Sequence, residues 1–210
     1  MTSAALACPL GLAASAVPSS GAELERKAER DAIAASKRGE REAFDVLVAR
    51  YQRPIYRLCY RYVNNHDDAN DLAQEAFLKA WRAISRFRGE SAFSTWLYRI
   101  AVNACLNFRA RRRPETRELD QTLVDPQPGA EWRMERQDDA TQVRAAVSRL
   151  PDKQRATLIL KLFHDLTHEE VAGILGSSVG TVKANLFHAL ANLRKRLNQG
   201  GFAVSDGTRG

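Results

Sequence analysis

Apolar positions recur through most of this chain in steps of three and four, the spacing that places side chains along one edge of an α-helix. Phe44, Leu47, Val48, Tyr51, Ile55, Leu58, Cys59 and Tyr62 make one such stripe, and it runs on through Pro54. Proline removes a helical donor, so the stripe predicts a kinked helix or two abutting ones. The run from Asn64 to Asp68 reads as a turn whose acids cap the following helix, which extends to about Ile84. Leu72, Ala76, Ala80 and Ile84 form the inward edge of that helix. A further helix, from about Ser94 to Arg112, continues a stripe begun by Phe93 through Leu97, Ile100, Ala104 and Phe108.

Between Pro114 and about Gln137 the periodicity stops. Pro114, Pro126, Pro128 and Gly129 break helices, while Glu115, Glu118, Asp120, Asp125 and Glu131 dominate the charge, as in an acidic linker. Helical spacing resumes with Val143, Val147 and Leu150, and Pro151 opens a helix carrying Leu158, Ile159, Leu162 and Phe163. Strand-like alternation and internal repeats are absent from the sequence. The pattern predicts an all-α fold of two small helical domains, at 26–113 and 138–198. A flexible acidic linker at 114–137 joins them, and the ends, 1–25 and 199–210, are expected to be disordered.

The most informative local pattern lies between Leu166 and Phe187. Thr167 and Glu170 have the spacing of a capping box, and Val171, Ile174 and Leu175 form a short apolar edge. Gly176 stands where a left-handed helix end is expected, and Ser177 or Ser178 can cap the next helix. That next helix carries Val179, Val182, Leu186, Leu190, Leu193 and Leu197 on a stripe that packs down on its domain. Thr181, Ala184, Asn185, His188 and Lys195 fall on the opposite side, small, polar or basic. This is a helix-turn-helix, and its second helix suits the DNA major groove.

Composition agrees with a polyanionic partner. The chain has 210 residues, 44% of them hydrophobic, with a net charge of +7 and a pI near 9.6. Cys8, Cys59 and Cys105 show no metal-type spacing, and the latter two lie among apolar residues, as buried free thiols in a reducing cytosol do. The Ala14-Ser-Ala16 run resembles an export cleavage site, but no Lys or Arg precedes Arg26, so the charged start of a signal peptide is missing. A disordered extension, or a start codon assigned too far upstream, is the expectation, with a cytoplasmic protein.

Two polar faces stand out. Asp71, Gln74, Glu75 and Leu78 share one side of their helix, an exposed leucine amid acids, which suits docking of a basic, partly apolar helix. On the helix from Ser94, Thr95, Arg99, Val102, Asn103 and Leu106 face outward, followed by Arg109, Arg111, Arg112 and Arg113. The segment from Phe87 to Trp96 before it mixes aromatics with a flexible loop, the combination that single-stranded DNA needs for stacking and phosphate contact. Phosphate loops, nucleophile elbows and zinc pairs are missing from the sequence, and no cofactor is implied. His164 and His168 are four apart, but the Leu166–Thr167 helix boundary separates them.

These motifs resemble those of the bacterial extracytoplasmic-function (ECF) sigma factors, particularly the sigma-E-like ones, over about residues 30 to 198. The resemblance rests on Asp68 to Trp81, Phe93 to Asn103, Leu150-Pro151 and Gly180 to Lys183 taken together. It implies a sigma factor, not an enzyme, whose partners are the β and β′ subunits of core RNA polymerase, promoter DNA and an anti-sigma factor. Asp71, Gln74, Glu75 and Leu78 would contact polymerase. Trp96, Arg99 and Asn103, with Arg88, Ser91 and Phe93 of the preceding loop, would recognise and melt the −10 element. Thr181, Lys183, Asn185 and His188 would read the −35 element. The family often has arginine where this chain has Asn185 or His188, so its base preference does not transfer. A free-standing helix-turn-helix regulator that binds DNA as a dimer is the rival; the acidic face and the aromatic loop argue against it.

Overall fold

A computed structural model of the chain describes residues 20–112 and 141–199. Expectations for residues 1–19, for the linker at 114–137 and for 200–210 lie outside the described residues. The elements are α1 (Ser20–Lys37), α2 (Arg41–Val63), α3 (His66–Ala83), a 3₁₀ turn (Ile84–Arg86) and α4 (Phe93–Arg111). After the linker come α5 (141–148), α6 (Asp152–Phe163), α7 (His168–Leu175) and α8 (Val179–Gln199). Among the described residues every element is helical, as the apolar spacing predicts.

α1 corrects the expected boundary, because residues 20–25, assigned to a disordered end, are its first turns. Long-range contacts explain it. Ala32 and Ser36 are buried against the bundle, Glu25 and Glu29 pair with Arg50 at 3.4 and 3.5 Å, and the Tyr51 hydroxyl donates to Glu29 at 2.9 Å. None of these partners lies within a local sequence window. α2 stays one helix through Pro54 and ends at Asn64, whose left-handed φ of 57° suits asparagine. The cap of α3 is Asn65, not an acid: its side chain accepts from the Asp68 amide at 3.0 Å. Asp67 and Asp68 instead sit in the first turn, where they complement the helix dipole.

Leu47, Ile55, Leu58 and Cys59 of α2 interlock with Leu72, Ala76 and Ala80 of α3 and with Leu97, Ala101 and Cys105 of α4, all essentially sealed from solvent. The alanines let α3 approach closely, and emptying one of the leucine positions costs about 2–5 kcal/mol. Val102, expected on the outer face of α4, is 1% exposed. The reason is that α4 is covered by α2, α3 and α7 together, so one apolar stripe does not describe it.

α6 is buried over six consecutive residues, Arg155 to Leu160, because it has neighbours on both sides. Leu158 joins Val147, Leu150 and Ala189 in the core of the C-terminal half, while Ala156, Ile159 and Leu160 join the larger core that includes α2 and α4. The two halves therefore pack directly against each other.

Candidate nucleic-acid interface

On α3 the inward line of Leu72, Ala76 and Ala80 turns the other side to solvent. Asp71 and Gln74 are exposed there, Leu78 is 56% exposed, and half-exposed Glu75 pairs with Lys79 one turn on. The four residues expected on one face are indeed together. A leucine left in water beside carboxylates is surface that folding does not use.

The loop from Phe87 to Ala92 turns at Gly89, whose φ of 75° favours glycine. Phe87, Phe93 and Trp96 pack into one aromatic cluster with centroids 5.1 to 5.7 Å apart, and Tyr51 closes it against Phe93 at 5.5 Å. Phe93 is only 3% exposed, so it corrects the expected DNA set: its ring is core, and it holds the loop and Trp96 in place. Trp96 is half-buried, while Arg88, Ser91, Arg99 and Asn103 are exposed. Arg88 sits loosely against Glu90 at 3.7 Å.

The helix-turn-helix forms as its caps dictate. The Thr167 hydroxyl accepts from the Glu170 amide at 3.1 Å, and the Glu170 carboxylate accepts from the Thr167 amide at 2.8 Å. Gly176 is left-handed at φ 58°. Ser178, rather than Ser177, caps α8, accepting from the Thr181 amide at 3.1 Å. The Thr181 hydroxyl lies 2.9 Å from the same Ser178 oxygen, so it is partly engaged. Val182 and Ala189 are the fully buried positions of α8; Leu190, expected on the buried stripe, is 46% exposed. The buried edge is thus rotated toward Ala189, a residue small enough to carry no hydropathy signal. With that phase Lys183, Ala184, Phe187 and His188 point outward and Asn185 is half-buried at the flank. Phe187, 70% exposed, is a surface residue that the leucine pattern does not single out.

The two halves meet at α4 and α7. The Thr95 methyl lies 3.9 Å from where a Cβ would stand at Gly173, and Arg99 Nη2 lies 3.6 Å from the same point at Gly176. Behind this contact polar groups seal the junction. Arg155, 3% exposed, donates to the Ser148 carbonyl at 3.3 Å and stacks over Tyr62 at 5.0 Å. Burial and neighbouring Arg109 push its guanidinium down to about 10, which leaves it charged at neutral pH. Arg109 in turn pairs with Asp152 at 3.2 Å. His164 bonds to the Tyr98 hydroxyl at 3.0 Å, and burial, with Arg61 and Arg57 nearby, lowers it to about 4 and keeps it neutral. Sequence periodicity gives no warning of Arg155 or Tyr98 in these roles, because their partners are far along the chain.

Chemistry beyond binding finds few groups. His164 and His168 are divided by the end of α6 and the start of α7, and among the described residues no three metal-ligating side chains gather. Cys59 and Cys105 are buried free thiols; the hydrogen bond to Cys59 and burial raise the Cys105 thiol, the opposite of a reactive cysteine.

Residues 47–115 match the family model of Sigma-70 region 2, and residues 140–193 that of Sigma-70, region 4. The chain is 37% identical over 186 residues to the RNA polymerase sigma-H factor of Pseudomonas aeruginosa, a match covering 83% of this chain and 96% of that one. It is 38% identical over 164 residues to the ECF RNA polymerase sigma-E factor of Escherichia coli K12, covering 73% and 85%. Among solved structures, the sigma factor RpoE in complex with the anti-sigma factor NepR from Bartonella quintana has a similar fold. Its TM-score is 0.60 at 22% identity, over 74% of this chain and 96% of that one.

Proposed function

Because this chain belongs to the sigma-70 family, as an ECF sigma factor, we propose that its exposed faces divide the work of promoter-directed initiation between them. The chain binds core RNA polymerase and promoter DNA and directs initiation; the assignment of residues to those tasks is our own. Asp71, Gln74, Glu75 and Leu78 on α3 dock core polymerase, offering carboxylates and one apolar anchor to a basic helix. Arg88, Ser91, Trp96, Arg99 and Asn103 hold the opened −10 element, Trp96 supplying a ring and the arginines phosphate contacts. Phe93 supports that surface from beneath. Thr181, Lys183, Asn185 and His188 of α8, joined by Phe187, face the −35 element in the major groove.

The observation that carries this division is the presence, on one chain, of a capped helix-turn-helix and of a second helical half that leaves in solvent both an acidic face with Leu78 and the Arg88, Ser91, Arg99 and Asn103 side chains around half-buried Trp96. The chain itself makes and breaks no bonds; polymerase does. It works in the cytoplasm, where polymerase is, under an anti-sigma factor of the kind its family uses. Mixing the pure protein with labelled promoter duplex, with and without core enzyme, separates this from a free-standing regulator. Specific binding and transcripts only in the presence of core are expected. Tight, specific binding by the protein alone, without transcription, would favour the regulator.

A further inference from the structure

α1 precedes the part of the chain matched to region 2, which begins at residue 47, and its inner edge accounts only for packing. Its outer side is different. Arg26, Arg30 and Lys37 are four and seven residues apart, so they lie within about 40° of one another around the helix axis, in a line about 16 Å long. All three are exposed, and among the described residues none of them makes an ion pair, whereas Arg50, on α2, is held by Glu25 and Glu29.

This line does not stand alone. Arg26, Arg30 and Lys37 form one wall of a cavity of about 600 Å³, and Arg88, Ser91 and Phe93 of the loop and the start of α4 form the other. Glu29 is the one acid on its lining, and it is already engaged by the Tyr51 hydroxyl and by Arg50. Among the described residues three unpaired cations thus face this space, with Arg88 opposite them held only loosely by Glu90 at 3.7 Å, next to the aromatic cluster of Phe87, Phe93 and Trp96. Open cations without partners, continuous with rings, are the two components of a single-strand binding groove.

Resting on the assignment of the loop and α4 to the opened −10 element, we propose that Arg26, Arg30 and Lys37 are a phosphate track for the displaced DNA strand. The sugar-phosphate backbone runs along this face of α1 while its bases turn toward the loop. Three cations spread over about 16 Å can each meet one phosphate of an extended strand, about three contacts in all. Contacts of this kind position a strand without reading it, so the track adds affinity and salt dependence but no sequence preference. Glu29 is held away by Tyr51, which keeps the track positive.

The test uses the full chain bound to core polymerase and a fluorescent single-stranded oligonucleotide, carrying either the −10 sequence or a scrambled one, titrated over a series of salt concentrations. The variant is Arg26→Gln with Arg30→Gln and Lys37→Gln. It should bind both oligonucleotides more weakly by the same factor, and the slope of log K against log salt should flatten by about two, at about 0.7 per lost contact. Arg26→Lys with Arg30→Lys keeps the charge and should keep the wild-type slope. If the triple variant melts early, the single Arg30→Gln should still flatten the slope by about 0.7.

An unchanged slope in a folded variant, with the wild type still preferring the −10 sequence, overturns the track and leaves the −10 assignment standing. Loss of core affinity instead places these cations at the polymerase and also overturns it. A wild-type holoenzyme with no preference for the −10 sequence removes the −10 assignment, and the track with it.

Discussion

At the scale of single residues, the sharpest contrast is between Lys183 and Asn185 on α8. Lys183 is exposed near the start of the helix, while Asn185 is half-buried at its flank. A side chain that reads a base changes sequence preference when lost, at a cost of about 1–3 kcal/mol. A phosphate contact weakens all sequences alike and lowers the duplex salt slope by about one. Transcription by Asn185→Ala from a randomised −35 library should therefore shift the selected sequence, whereas Lys183→Ala should reduce output without shifting it. The reverse result assigns the two roles the other way round.

Residue identities also mark where the sequence was readable. Asp71, Gln74, Glu75 and Leu78 were legible because three- and four-residue spacing puts them on one exposed face whatever the tertiary fold. Phe93 carried two expectations, the start of the apolar stripe of α4 and, through the family resemblance, a place in the DNA set; its cluster with Tyr51, Phe87 and Trp96 bears out the stripe. Leu190 departs from its expected burial for a different reason: small Ala189 takes the buried edge, and Phe187, which the pattern assigns to neither side, is exposed.

At the scale of elements, the helix-turn-helix rests on its punctuation. α7 has eight residues, too few to be stable in isolation, so its ends and its packing must supply what length does not. Both halves of the Thr167–Glu170 capping box are made, and Gly176 closes the other end. Thr167→Ala removes a cap oxygen at a cost of about 1 kcal/mol. For a chain of this size that corresponds to a fall in Tm of about 2–4 °C, readable by calorimetry. An unaltered Tm would mean that packing of Val171 and Ile174 alone holds the turn. These caps were legible in the sequence because each spans three residues. The helical start of α1 was not, since its anchors on Arg50 and Tyr51 are more than twenty residues away.

At the scale of the whole molecule, the contact between α4 and α7 sets a condition on function. Elements centred at −10 and −35 are about 25 base pairs apart, about 85 Å at 3.4 Å per pair. A globule of the described size has a radius of gyration of about 15 Å, so α4 and α8 cannot reach both elements while the halves are packed together. They must separate on polymerase, uncovering half-buried Thr95 and freeing the already exposed Arg99 from its approach to Gly176. The contact is close enough to lock. With Cys8 replaced by serine, Thr95→Cys and Gly173→Cys place two thiols at a separation compatible with the 3.9 Å approach of side chain and backbone. The oxidised protein should lose promoter-directed transcription and regain it on reduction; full activity of the cross-linked form would show that the halves need not part. The two-domain helical plan was readable from the linker composition, but this contact was not, because its residues, Thr95 and Gly173 among them, are individually unremarkable in sequence.

The division of labour between α3 and α4 is the centre of this account, and permanganate reactivity of −10 thymines tests it most directly. Asn103→Ala and Glu75→Lys are each combined with core polymerase on a cognate promoter, and core affinity is measured alongside. Asn103→Ala should bind core as the wild type does yet leave the thymines unreactive, while Glu75→Lys should lose core affinity and recover reactivity as its concentration is raised. Normal reactivity with Asn103→Ala, or unaltered core affinity with Glu75→Lys, would contradict it.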